Sequence, residues 1–322
     1  EGANGDLIKR WATLPFLFSR PNFVDTTDLT WRTANPYELA YRFFFQIGNR
    51  PESLLRQTRA MVVLLGVATG WLVFACARQL FGAAGGLGAL GLYAFSPTML
   101  ASGGLVSTDM SITLTLFASA WCIWRLLHEV TPGRVVASLA WFGLLLLAKM
   151  TALVIFPLTL VLLVVKLAAR TPLVLRWRAR TRTITSRRGQ AAIIAGLVAL
   201  HALAGWSAIW AHYGFRFAAS PNPTDAGIEM RKQIARDEVP AGPAAIVEWS
   251  RRTHFLPQGY LSGVDWLLGD DDKLPAFMNG RWAAGGWRAF FPYMIWLKTR
   301  SALFLMLSLA AEYDFRRIVL TF

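Results

Sequence analysis

Five apolar stretches, residues 61–81, 83–100, 110–127, 135–167 and 191–210, follow one another with almost no charge, and Asp109 and Lys149 are set among them. A helix rises about 1.5 Å per residue and must cross about 30 Å of hydrocarbon, so a crossing takes roughly 20 residues. The 135–167 stretch has 33 residues, charged only at Lys149 and, next to its end, at Lys166, and is too long for a single crossing. An interior proline removes a backbone donor and ends or kinks a helix, which predicts a tight hairpin broken between Lys149 and Pro157. Six crossings are expected before Trp210, and a seventh apolar stretch lies within 290–311. Composition agrees: 55% of the 322 residues are hydrophobic and 16% charged, where a soluble chain carries roughly a quarter charged. The fold class expected is all-α, a polytopic transmembrane helix bundle with an outer-face loop region.

The net charge of +14 would suit a nucleic-acid partner, but its distribution argues against one. Eight basic residues fall between Lys166 and Arg188 with no acid among them. Such a loop marks the cytoplasmic side, and anionic lipid headgroups account for its charge. With that loop inside, the 125–134 connection and the turn around Arg78 also lie inside. Residues 1–57, the turns holding Asp109 and Lys149, and the 211–288 segment lie outside. That last segment carries nine acids against a similar number of bases. The expected organisation is therefore an outer amphipathic helix and loop over 1–57, six transmembrane helices over 58–210 with a basic cytoplasmic loop at 166–190, an outer loop region over 211–289, and a further membrane helix over 290–322.

Several chemistries find no support. Cys76 and Cys122 have no CxxC spacing and read as packing residues. His128, His201, His212 and His254 are scattered, without HExxH spacing. The glycine-rich run 82–91 lies within a crossing, where small residues let helices approach closely. Asp270, Asp271 and Asp272 fit no calcium loop and read as solvated charge. The 6–18 segment, DLIKRWATLPFLF, sets Leu7, Ile8, Trp11, Leu14 and Pro15 opposite Lys9 and Arg10. This is a short basic amphipathic helix suited to the membrane interface, and a surface anchor with no chemical role reads equally well.

Four stretches in order carry a resemblance: the 6–18 segment; SPTMLASGGLVSTDM, 96–110; GLLLLAKMTALVIFPLTLVLL, 143–163; and the 259–299 region from GYLSGVDWLL to GGWRAFFPYMIWLKT, with YGFRF at 213–217 between the last two. They resemble the bacterial phospholipid-carrier-dependent glycosyltransferases, relatives of the protein O-mannosyltransferases and of the aminoarabinose transferase that modifies lipid A. The resemblance implies the C-type glycosyltransferase fold, a polyprenyl-phosphate sugar donor, and inverting transfer to a lipid, glycan or protein acceptor on the outer side. It also implies a bacterial plasma (inner) membrane location, in keeping with the richness in arginine, alanine and tryptophan. Such chemistry needs an acid or metal to activate the acceptor hydroxyl and cations to stabilise the departing phosphate. A divalent metal is neither required nor argued for by one visible acid.

Asp109 matches the acid that the family places on the outer turn after its third helix, and is the catalytic candidate. Ser107, Thr108 and Asp109 are equally good helix N-cap residues, and one aspartate can do both jobs. Lys149 lies where the family has a lysine at an outer helix end, a good point-charge partner for phosphate; the alternative is snorkelling to the interface. Arg59, Lys298 and Lys9 resemble further donor-phosphate contacts, with interfacial anchoring the alternative for each.

The chain departs from the family at its start. A His-Pro-Pro-Leu stretch is usual where this sequence reads Asn4, Gly5, Asp6, Leu7. The acid pair of the first outer loop and the first membrane helix would lie upstream of Glu1, and a further helical region beyond Phe322. The expectation is a fragment of a longer protein. Two readings of other kinds stand beside the transferase: a membrane transporter, and a donor-binding remnant lacking its catalytic base. A transporter should show internal repeats and ionisable groups at the bilayer midplane, whereas here no repeat is found and such groups gather toward the outer surface.

Overall fold

The computed structural model describes residues 5–32, 35–178, 180–219, 241–269, 276–284 and 286–298. It is mostly helical. Among the described residues, four helices are long and apolar enough to cross a membrane: Pro51–Ala94, Thr108–His128, Met150–Ala169 and Arg187–His212. Pro132–Ala148 is a shorter apolar helix of 17 residues.

The first described elements are α1 (Leu7–Ala12), α2 (Phe16–Ser19), α3 (Leu29–Arg32) and α4 (Pro36–Tyr41). The amphipathic segment is thus two short helices, because Pro15 cannot continue the first and instead opens the second. Beyond anchoring at a surface, α1 docks on the bundle. Ile8 and Ala12 are buried, Ile8 packs with Val62 and Met110, and Trp11 Nε1 donates to the Met61 carbonyl at 2.7 Å.

The next helix, α5 (Pro51–Ala94), reverses within its length. Gly82 has φ 75° and ψ −175°, outside helical values and costly for any residue with a Cβ. Its two arms fold against each other, with Tyr93 Oη donating to the Gly66 carbonyl at 2.7 Å. A Cβ on Gly70 would stand 2.9 Å from the Tyr93 ring, so the small residues permit the contact. The chain continues through α6 (Pro97–Gly103), α7 (Thr108–His128), strand β1 (Glu129–Val130) and α8 (Pro132–Ala148). Lys149 then breaks the path with extended backbone, followed by a 3₁₀ turn, Met150–Val154, and α9 (Ile155–Ala169). The break falls at Lys149. Pro157 sits in the first turn of α9, where a missing N–H costs nothing.

The basic loop is folded as well as charged. Strands β2 (Leu173–Trp177) and β3 (Arg180–Ile184) pair antiparallel, and β1 joins β2 in parallel. Glu129 holds the junction, 2.8 Å from Arg134 and 3.0 Å from Arg176. Lys166, one of the eight bases, is buried and donates to Thr171 Oγ1 and the Pro172 carbonyl. It closes the end of α9, so lipid headgroups do not account for that charge.

Helix α10 (Arg187–His212) returns to the other end of the bundle. The main core joins Ile123 and Leu127 of α7, Phe142, Leu145 and Leu146 of α8, Met150, Ile155 and Ile209. On α9 and α10 the large side chains away from it, Leu160, Val161, Val164, Val198 and Leu203 among them, are exposed, as a hydrocarbon solvent demands. The described part of 211–289 contains α11 (Ala241–Arg252), α12 (Gln258–Gly269) and the hairpin of β4 (Ala276–Met278) with β5 (Arg281–Ala283). Tyr260 of α12 joins the main core, and Trp206 and Trp210 both donate to the Phe255 carbonyl. Helix α13 (Phe290–Lys298) is the last described element. The 270–272 acids and the end of the 290–311 stretch lie outside the described residues.

Candidate active site

The up-and-down path of α7, α8, α9 and α10 puts two sets of residues at opposite ends. Glu129, Arg134 and the β2–β3 hairpin occupy one end. At the other meet the start of α7, the end of α8, the end of α10 and all of α1.

Asp109 stands in the first turn of α7. Ser107 caps that helix, its Oγ accepting from the Asp109 N–H at 3.4 Å and donating to Asp109 Oδ2 at 3.1 Å. Met110, 1% exposed, is locked between Ile8 and Val62, which fixes the turn while the neighbouring carboxylate faces outward. Lys149 Nζ lies 3.4 Å from Asp109 Oδ1, with side-chain exposures of 28% and 57%. The pair is 40 residues apart in sequence and joins the start of α7 to the end of α8. An accessible carboxylate can take a proton from a hydroxyl, and an ammonium beside it can bind an anion.

The 3.4 Å contact joins only Asp109 and Lys149 of the sequence candidates. Lys9 is ion-paired with Asp6 at 3.2 Å, within α1's own first turn. Arg59 is exposed on the first half of α5 and is not part of the Asp109–Lys149 pair. Lys298 closes α13, and its side chain lies outside the described residues.

A second polar group sits beside this pair. A small cleft, with space for about one water-sized group, is lined by Asp6, Met150, His212, Tyr213 and Tyr260, with Leu146 and Leu147 at the end of α8 beneath. Gly5 makes the close approach possible: it has φ +55°, and a Cβ there would come within 2.2 Å of the Ala148 carbonyl oxygen. Burial opposes ionisation of Asp6, but His212 and Lys9 outweigh it and hold the carboxyl down at about 2. Burial pushes the Tyr260 phenol up to about 12 and raises Tyr213 further, so both stay neutral at ordinary pH. Sequence reasoning missed Asp6, His212 and Tyr260 as a group, since no local spacing links them. Among the described residues no group of three or more His, Cys, Asp or Glu side chains could hold a metal ion.

The described residues thus form a helical bundle with the Asp109–Lys149 ion pair at one end and a basic sheet at the other. Residues 38–185 match the family model described as dolichyl-phosphate-mannose-protein mannosyltransferase. That region is a domain of this family, a family of membrane glycosyltransferases that use a lipid-linked sugar donor. Asp109, Lys149 and Arg59 fall within the matched residues; Lys9, Lys298 and most of the cleft fall outside them. No curated protein matches the chain, and no solved structure does.

Proposed function

We propose that the protein transfers a sugar from a polyprenyl phosphate to an acceptor hydroxyl with inversion, on the outer face of a bacterial inner membrane, and that Asp109 and Lys149 carry the reaction. The observation that carries this reading is their 3.4 Å contact, made by residues from two helix ends inside the family-matched region. In the step proposed, the acceptor oxygen attacks the anomeric carbon as the bond from that carbon to the phosphate oxygen breaks. The acceptor proton passes to the Asp109 carboxylate, and the electron pair leaves with the lipid phosphate. Lys149 stabilises the charge gathering on that phosphate. One-step displacement from the opposite face inverts the anomeric centre. Arg59, Lys298 and Lys9 serve as outlying cations that draw the phosphate toward the membrane surface.

Sidedness rests on the eight basic residues of the 166–188 segment, which mark the inner face and leave Asp109 outside. The test is transfer from radiolabelled polyprenyl-phosphate sugars by the full-length protein in sealed, oriented vesicles. Product formed when the donor is presented on the outer face, with the opposite anomeric configuration, supports the reading. Retained configuration, or transfer confined to the inner face, overturns it.

A further inference from the structure

The cleft beside Lys149 contains an unanswered hydrogen-bonding group. His212 has a side chain only 7% exposed, and its Nε2 is buried without a hydrogen-bond partner. The nearest acceptor, Asp6 Oδ2, is 3.9 Å away, too far for a direct hydrogen bond. Leaving a polar nitrogen buried and unmet is costly, so such a group points to something that completes it. The space beside it is of the order of one water or one hydroxyl group.

We infer that this cleft seats a ring hydroxyl of the donor's sugar, held between Asp6 and His212 against Tyr213 and Tyr260. The inference rests on the reading of Lys149 as the donor-phosphate contact. Met150, the residue after Lys149, lines the cleft, and in a sugar phosphate the ring is joined to the phosphate through a single oxygen. A phosphate at Lys149 therefore leaves its sugar at the cleft's mouth. Three features select a neutral hydroxyl. Asp6 is an acceptor that repels a second anion, so the lipid phosphate does not itself enter. A hydroxyl both donates and accepts, so it can donate to the carboxylate and meet His212 Nε2 in either imidazole tautomer. The tyrosine rings add apolar walls that suit the carbon face of a sugar.

The site is fixed by the fold and not by loose side chains. Arg10 donates to the His212 carbonyl at 2.7 Å, which ties α1 to the end of α10. Tyr213 packs on Gly259, where an added Cβ would come within 2.7 Å of its ring. Asp6 and His212 thus come together through elements 206 residues apart in the chain.

The test uses the full-length protein in liposomes with polyprenyl-phosphate mannose, glucose and galactose, the monodeoxy analogues of each, and deoxy analogues of the acceptor. The parent should reject one deoxy donor by about 100-fold in kcat/KM, since a site built to bond a hydroxyl is left with unpaired groups when it is removed. Asp6→Asn and His212→Ala should slow the natural donor by a similar factor yet leave the deoxy donor almost unchanged, collapsing the discrimination. His212→Gln, which keeps a donor and an acceptor, should restore part of it and serves if His212→Ala does not fold. Discrimination that persists against every deoxy donor in these variants overturns the inference, while leaving the transferase reading intact. Collapse confined to a deoxy acceptor overturns it in favour of an acceptor site. No transfer from any of the three donors by the parent removes the reading of Lys149, and this inference with it.

Discussion

At the residue scale, the roles proposed for Asp109 and Lys149 differ, and their substitutions should separate them. Asp109→Asn keeps the side-chain volume and the cap but removes the base; transfer should fall by about 10²–10⁴-fold with insertion unchanged. Unaltered turnover of a lipid-linked sugar would count against a chemical role for Asp109. Lys149→Ala should chiefly raise the donor's KM; poor folding with normal kinetics in the surviving protein would instead show a side chain that merely reaches the interface. Gly5→Ala meets both a positive φ and the Ala148 carbonyl, and should cost about 1–3 kcal/mol in detergent unfolding experiments. A stability equal to the parent's would mean that Gly5 does not hold α1 against α8. Asp6 gives a pH signature of definite sign. Its carboxyl is held at about 2 in the folded protein against an ordinary 3.8, so its contribution is complete above pH 4 and drains away as pH falls toward 2. The difference in Tm between the parent and Asp6→Asn should shrink over that interval and stay flat above it.

The elements show what was readable in advance and what was not. The Ser-Thr-Asp cap of α7 and the lone charge that ends α8 are local signals, and both fall where the sequence places them. Pro157 misleads by a few residues, because a proline that reads as a breaker is harmless in the first turn of a new helix. The β1–β2 pairing had no local signal: two residues of β1 join Val174 and Leu175, forty-five positions away, and only the closed bundle brings them together. The cleft was hidden for the same reason, since Asp6 and His212 are 206 residues apart in the sequence. The reversal in α5 rests on close approach. Gly70→Leu should drive a branched side chain into the Tyr93 ring and destabilise the protein by about 1–3 kcal/mol. Unchanged unfolding would mean that the two arms are free to separate.

At the scale of the whole molecule the Asp109–Lys149 pair and the basic sheet occupy opposite ends of one bundle. The arrangement makes a sidedness experiment decisive: with a membrane-impermeant maleimide on intact cells, Phe215→Cys should be labelled and Arg180→Cys should react only after permeabilisation. The reverse pattern would turn the protein over and place its chemistry inside. The parallel β1–β2 contact has a mechanical consequence. From Glu129 the chain climbs α8, turns at Lys149, descends α9 and returns to Arg176, where Glu129 meets it again. The segment is a closed loop, clasped at its base by one carboxylate and carrying its ammonium at the tip. With α8 about 26 Å long, clasp and tip stand a helix length apart. If Lys149 grips phosphate as proposed, drawing Arg176 away from Glu129 at one end of the bundle should slacken that grip at the other.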